Sequence, residues 1–344
     1  MSCVVVSSCA QRLDHFMAQA NAHYYATTHF WNDFVTAPEM SQVFGELLGA
    51  WVALVWQGMK CPSSFLFAEA GPGRGTLMAD ALRLITRCVP TMAKAQKVHL
   101  IETSSLLRER QRQALCSYVT PIWHECLTDL PEGPLILIGN EFLDALPIRQ
   151  FIQKNAVWYE RYVYKGMFQL VPSVAPVLPD GRALKSETVV ELCEPAIAIA
   201  QWLGQRFTQM PGVALFIDYG HETLLTGDSL QALRQAQRVA PLEKAGEADL
   251  TAHVDFTAFA AAARQAGAAV YGTETQGIFL QRLGIVERTE QLAQRASFSL
   301  EEAQILRKST HRMIASEEMG HLFKVIALVS PFLPAPPGFT ENTT

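Results

Sequence analysis

The sequence predicts an α/β fold: a doubly wound parallel sheet with helices on both faces, interrupted by an inserted β-rich and helical subdomain. Three observations carry this. Short apolar runs alternate with amphipathic helical segments from residue 64 to 147. A glycine-rich turn joins the first run to the first helix. After Pro147 the pattern becomes aromatic and β-rich. Strand and helix alternating over short links is the signature of parallel strands covered on both sides. The chain has 344 residues, of which 49% are hydrophobic and 18% charged, enough to bury a large core. At about 100–200 residues per domain, roughly two structural units are expected.

The elements follow in order. Leu47–Met59 (LLGAWVALVWQGM) reads as a buried helix, and it is shorter than the ~20 residues a membrane span needs. Ser64–Ala70 (SFLFAEA) is a strand, and Thr76–Cys88 is a helix with Leu77, Ala81, Leu84 and Ile85 on one face. Val98–Ile101 is the second strand, and 104–117 is a charged helix with Leu107, Gln111 and Ala114 in phase. Tyr118–Trp123 and Leu135–Gly139 supply two further strands. Residues 150–171 read as antiparallel strands turning at Lys165-Gly166, and 172–180 as a proline-rich connector. Glu194–Gln209 is helical, Val213–Ile217 is a buried strand, 255–267 and 287–309 are helices, and Phe323–Val329 is a late strand. The expected division is a helical segment over 1–60, a core from 61–149 and 211–330, an insertion over 150–210, and a peripheral tail over 331–344.

Charge and cysteine usage exclude whole classes. Lys and Arg number 28 against 33 Asp and Glu, a net charge of −5 without a basic cluster. No nucleic-acid partner is expected, since a phosphate-binding footprint is absent. No membrane insertion is expected either. The apolar run near the N-terminus lacks a preceding basic region, which argues against a leader peptide. The seven cysteines are scattered without a CxxC pair, so neither a disulfide framework nor a metal site is expected. A cytoplasmic location is the corresponding expectation.

Chemistry concentrates at the carboxyl ends of the first strands, where open α/β sheets bind ligands. Glu69-Ala70-Gly71-Pro72-Gly73-Arg74-Gly75 places three glycines where backbone must turn tightly and a ligand can lie on it. A dinucleotide fingerprint would be G-x-G-x-x-G, with amides aimed at a pyrophosphate. Here the third glycine comes one residue early and an acid precedes the first. An acid is awkward beside a diphosphate and suits a cationic ligand such as S-adenosylmethionine, which carries a sulfonium and an ammonium. Such a turn can also join strand and helix with no ligand at all. Glu102, directly after the second strand, can accept from ribose hydroxyls or serve the start of the following helix. Glu125, after His124 at the third strand, can accept from an adenine amine. Three groups after three successive strands favour a nucleoside-bearing cofactor.

The segments FAEAGPGRGTLMADALR, VHLIETSSLLRERQ, GNEFLDALPIRQF, FIDYGH, GEADLTAHVDF, QGIFLQRLGI and MGHLFKVIAL resemble the MidA-type family of S-adenosylmethionine-dependent methyltransferases. That family includes the mitochondrial complex I assembly arginine methyltransferase and many bacterial members. DFVTAPEMSQVFGELLGAW (33–51) resembles its upstream motif, and the likeness runs from about Tyr24 to Phe339. The resemblance implies a class I methyltransferase fold with Glu69, Gly71, Gly73, Gly75 and Glu102 at the cofactor; Pro72, Glu125 and Asn140 are expected to bind it as well. One departure stands out. Relatives carry a longer N-terminal region and a G-x-x-G-D-F turn, whereas 24–34 here is shorter and lacks glycine.

In class I methyltransferases the loop after the fourth strand faces the departing methyl group. Glu141 and Asp144 in that loop are three apart and would share a face on a helical turn. Two carboxylates can grip an arginine guanidinium, whose planar fork of donors matches them. Either acid can also simply anchor the loop. Thr36, Pro38, Glu39, Ser41 and Glu46 precede the first strand, where this fold class often closes over the cofactor; the same residues make an ordinary helix start. Asp218, ending the fifth strand before Tyr219-Gly220-His221, can line the acceptor pocket. The expectation is therefore a methyltransferase acting on arginine in a protein substrate. Alternatives are a small-molecule methyltransferase, a non-catalytic cofactor-binding assembly factor, or, least of all, a dinucleotide oxidoreductase. Oligomeric state is not legible.

Overall fold

The computed structural model describes residues 10–26, 36–182, 184, 188–222, 227–235, 237–295 and 298–340. The leader expectation rests on residues 1–9 and the glycine-free departure mostly on 27–35; both lie outside the described residues. The elements begin with β1 (Gln11–Arg12), α1 (Leu13–Ala26), α2 (Ala37–Met40), α3 (Gln42–Gly58), β2 (Phe65–Ala70), α4 (Thr76–Cys88) and α5 (Pro90–Ala95). Next come β3 (Gln96–Ile101), α6 (Ser105–Leu115), β4 (Ile122–His124), β5 (Leu135–Asn140), β6 (Arg149–Lys154), β7 (Val157–Tyr164), β8 (Met167–Ser173) and β9 (Val189–Leu192). Then follow α7 (Glu194–Gln209), β10 (Gly212–His221), β11 (Gln231–Arg234), β12 (Gln237–Val239), β13 (Asp249–Thr251) and β14 (Val254–Asp255). The last are α8 (Phe256–Gln265), β15 (Ala269–Thr275), α9 (Gln276–Arg282), α10 (Ile285–Ala293), α11 (Leu300–Ile314), α12 (Met319–Leu322) and β16 (Phe323–Val329).

Contacts divide the described chain into two units. The larger takes 36–142, Gln201–Tyr219 and 263–340. Its sheet runs β15-β16-β10-β5-β2-β3-β4. β2, β3, β4, β5 and β10 are mutually parallel, while β16 runs antiparallel to both β10 and β15. β2 (FLFAEA) and β5 (LILIGN) are buried at every position, as strands covered on both faces must be. One covering layer is α3 packed on α4. A Cβ on Gly49 would lie 2.8 Å from the Ala81 Cα, so only glycine permits this close approach. Val43, Phe44, Trp51 and Val52 of α3 join Phe67, Ile136 and Leu215 in one apolar core.

The smaller unit takes 10–26, Leu143–Ala200 and Gly220–Ala262. β8, β7, β6 and β9 form an antiparallel sheet with β1 added beside β7, and the hairpin turns where Tyr164 faces Met167, at the expected Lys165-Gly166. β12-β11-β13 forms a second small sheet. Leu13, Met17 and Ala20 of α1 pack with Ile148, Val163, Ala232 and Leu250. The Asn21 amide seals this contact: Nδ2 donates to the Leu250 carbonyl at 2.8 Å, and Oδ1 accepts from the Leu250 N–H at 3.1 Å. The β-rich stretch over 150–210 thus recruits distant segments, 10–26 and 220–262, that side-chain periodicity does not connect to it.

Three local expectations are corrected. The helix expected over 287–309 is two, α10 and α11, because Ser299 and Glu302 form a reciprocal cap (3.1 and 2.7 Å) that starts a new helix. The strand expected over 118–123 is confined to β4, since the Tyr118 and Val119 amides close a turn onto the Leu115 carbonyl. The tail is not peripheral. Phe339 packs on Phe279 with ring centroids 5.3 Å apart, and Trp51 Nε1 donates to the Pro337 carbonyl at 2.9 Å.

Candidate active site

Strand order puts a crevice at the carboxyl ends of β2 and β5. From β2 the chain winds outward through β3 to β4, and from β5 it winds the other way to β10. Ligands of open α/β sheets bind at such a reversal. The loop after β2 is held by two backbone bonds, Gly71 N–H to the Ile101 carbonyl (3.1 Å) and Gly75 N–H to the Pro72 carbonyl (2.7 Å). Gly71, Gly73 and Gly75 all have positive φ. Gly73, at φ +51°, has open space where a Cβ would stand, with nothing within 4 Å. Its backbone is therefore free to be approached.

Glu69, next to last in β2, is buried at 3% exposure, and its Oε2 has no hydrogen-bond partner among the described residues. Burial pushes its carboxyl up to about 8. Asn140, at the end of the neighbouring β5, donates from Nδ2 to Glu141 Oε1 at 3.1 Å, while its buried Oδ1 has no donor among the described residues. Two orphaned acceptors at the ends of adjacent strands need an incoming donor, because an unmet buried acceptor is costly. An α-ammonium supplies such donors, so these residues fit S-adenosylmethionine.

Glu102 follows β3 and is buried, which raises its carboxyl. Its Oε1 accepts from the Ser104 N–H at 2.8 Å, and its Oε2 accepts from Gln111 Nε2 at 3.2 Å. Ser104, not Glu102, caps α6, its hydroxyl accepting from the Leu107 N–H at 3.3 Å. Glu102 therefore serves the start of α6, as the alternative expected, by accepting the N–H of its cap. Gln111 is fully buried and reaches the glycine loop as well. Sequence reading placed it merely in phase with the apolar side of its helix; a glutamine in that stripe was the available signal. Glu125 stands exposed in the bend after β4. Its neighbour His124 meets His99 at 2.8 Å (Nε2 to Nδ1), and burial pushes His99 down to about 4.

The loop after β5 is a bend, not a helical turn, because Glu141 has φ +50°. The helical turn expected to align Glu141 and Asp144 is not formed. The two units also part between Phe142 and Leu143, so the acids belong to different ones. Asp144 is buried in the smaller unit, where its carbonyl accepts from the Ala252 N–H at 3.0 Å. Asp218, wholly buried, accepts from the Phe142 N–H (3.1 Å) and the Tyr219 N–H (2.9 Å).

Residues expected near a lid are distributed unevenly. Thr36 precedes α2 without a side-chain cap, and Pro38 is buried in its first turn. Glu39 reaches the loop: Thr76 Oγ1 donates to it at 2.6 Å and Arg74 pairs with it at 3.4 Å. Ser41 and Glu46 are committed elsewhere. Ser41 caps α3 through the Val43 N–H at 3.2 Å. Glu46 is buried between Arg83 (3.1 Å) and Arg288 (2.8 Å).

Residues 47–274 match the model of a family of S-adenosyl-L-methionine-dependent methyltransferases. The human protein arginine methyltransferase NDUFAF7, mitochondrial, is 32% identical over 326 residues, spanning 86% of this chain and 73% of that protein. Its Caenorhabditis elegans homolog is 32% identical over 86% of this chain and 75% of its own length. A COG1565 superfamily member from Burkholderia thailandensis, solved bound to S-adenosyl-homocysteine, shares the fold. The TM-score is 0.78 at 24% identity, over 97% of this chain and 92% of that one. These relatives overturn the cytoplasmic expectation, since their names place them in the mitochondrion. Scattered cysteines speak against an oxidising compartment and do not single out the cytoplasm. No helix among the described residues is long and apolar enough to cross a membrane. The ordered motifs, the strand order and the family match agree: this chain belongs to the family of S-adenosyl-L-methionine-dependent methyltransferases.

Proposed function

We propose that this methyltransferase acts on an arginine guanidinium in a protein substrate. The observation that carries the reading is the 32% identity over 86% of the chain to an enzyme named as a protein arginine methyltransferase. The carboxylate of Glu141, held at the end of β5 by Asn140, suits the same acceptor. In this reading Glu69, Gly71, Pro72, Gly73, Gly75 and Asn140 hold the amino-acid end of the cofactor, Glu102 the ribose and Glu125 the adenine amine.

The bound cofactor supplies a methyl group already activated on a sulfonium, so the protein's task is alignment. Glu141 orients the guanidinium by accepting its N–H groups and localises its charge. It also takes up the proton released once the nitrogen carries the methyl group. Thr36, Pro38 and Glu39 lie before β2 and cover the loop, with Glu39 fastened to Thr76. Asp218 positions Phe142 and acts without touching the acceptor.

Incubation with labelled S-adenosylmethionine and a mixture of mitochondrial proteins, followed by hydrolysis to amino acids, tests the proposal. Label in methylarginine supports it. Label only in small molecules, or in another amino acid, assigns a different acceptor.

A further inference from the structure

Gln111 lies in the middle of α6, fully buried, and its carboxamide touches three separate parts of the larger unit. Trp123 Nε1 donates to Oε1 at 2.8 Å. An indole N–H can only donate, so this bond fixes which end of the amide faces the tryptophan. Both hydrogens of Nε2 then point the other way. One goes to the Gly73 carbonyl at 2.7 Å and the other to Glu102 Oε2 at 3.2 Å. The tryptophan is itself clamped, with the Arg112 guanidinium 4.9 Å above its ring. Contact with the loop extends to Gly75, where a Cβ would stand 3.4 Å from the Gln111 Cα and Cγ.

We propose that Gln111 is a positioning residue for the cofactor, joining the ribose-binding acid Glu102 to the glycine loop through one oriented amide. This rests on Glu102 being the ribose acceptor. The Ser104 N–H aims Oε1 and Gln111 aims Oε2, with the Thr103 N–H adding to the hold, and the carboxylate keeps acceptor capacity for a ribose hydroxyl. The same amide holds the Gly73 carbonyl, so ribose recognition and loop shape are set together. Without it, Glu102 loses the donor that selects its rotamer, and the loop loses its tether to α6.

The test is calorimetric titration with S-adenosylhomocysteine and its 2′-deoxy and 3′-deoxy analogues, using wild type, Gln111→Leu and Glu102→Ala. In wild type, removing a hydroxyl bonded to a carboxylate is expected to weaken binding about tenfold or more. In Gln111→Leu the parent ligand should weaken about tenfold, and the penalty for a missing hydroxyl should shrink to about threefold or less. A merely structural role for Gln111 would weaken all three ligands alike and leave that penalty intact. If Glu102→Ala abolishes the hydroxyl penalty while Gln111→Leu keeps it, the proposal is overturned and the ribose assignment stands. If Glu102→Ala also keeps the penalty, the ribose assignment itself fails and the proposal with it. Should Gln111→Leu not fold, Trp123→Phe removes only the donor that orients the amide. A reduced penalty there supports the proposal, and an unchanged one overturns it.

Discussion

The carboxylate of Asp218 accepts the backbone N–H of Phe142 at 3.1 Å, and the Phe142 ring in turn stands 3.1 Å from where a Cβ on Gly71 would be. One buried acid within β10 therefore shapes the loop after β5, whose phenylalanine packs on the glycine turn after β2. Asp218→Ala removes at least the bonds from the Phe142 and Tyr219 N–H groups in a fully buried setting. A stability loss of about 2–4 kcal/mol is expected, with weaker binding of S-adenosylhomocysteine. Denaturant melts and calorimetric titration check both. Unchanged ligand affinity would mean that Phe142 does not support the loop.

Gly73 separates ligand approach from folding. At φ +51° any L side chain is strained, yet a Cβ there meets nothing within 4 Å. Gly73→Val should cost about 1–3 kcal/mol of stability while abolishing measurable heat with S-adenosylhomocysteine. Retained binding would show that the cofactor does not lie on this loop.

Glu69 makes stability depend on pH. Its carboxyl is raised from 4.5 to about 8 by burial, so between those values the folded state holds a proton that the unfolded chain has lost. Stability falls as pH rises through this window, by a few kcal/mol in order of magnitude. Glu69→Gln should flatten that slope in denaturant midpoints measured across the range. Binding of a cofactor ammonium favours the charged carboxylate, so near neutral pH S-adenosylhomocysteine should release a proton in wild type and none in Glu69→Gln. Titration in two buffers of different ionisation heat detects this.

Glu141 distinguishes catalysis from docking. Its half-exposed carboxylate at φ +50° lies beyond the buried end of β5. Glu141→Gln removes the charge and keeps the shape, and should lower kcat/KM toward an arginine substrate by about a hundredfold with ligand affinity little changed. If Glu141→Gln combined with Asp144→Asn leaves biological activity intact, the protein works by docking to a partner instead.

The C-terminal segment contributes to the core. Phe339→Ala removes the packing on Phe279, and truncation before Pro337 also removes the acceptor for Trp51. The point substitution should cost about 2–3 kcal/mol, read as a lower melting temperature. An unchanged melting temperature would return the tail to the periphery.

The strands FLFAEA and LILIG, the glycines that follow the first, and an acid after VHLI could all be read in the chain, because each depends on neighbours within a few positions. Apolar periodicity reports which face is buried, and a positive-φ turn demands glycine wherever it occurs. The break between α10 and α11 was missed, although the Ser299–Glu302 spacing carried a local signal for it. What the chain could not reveal depends on partners brought together from afar. Asp218 meets Phe142 across 76 positions and Glu46 meets Arg288 across 242. Gln111 looks like one more core-facing helix position until Gly73, Glu102 and Trp123 surround it. Glu141 and Asp144, three apart in sequence, fall in different units, and Glu141 has φ +50° where a helical turn was expected. Local pattern sets secondary structure and the turn at the cofactor loop. Which buried polar group satisfies which other is decided only when the layers pack and water is excluded.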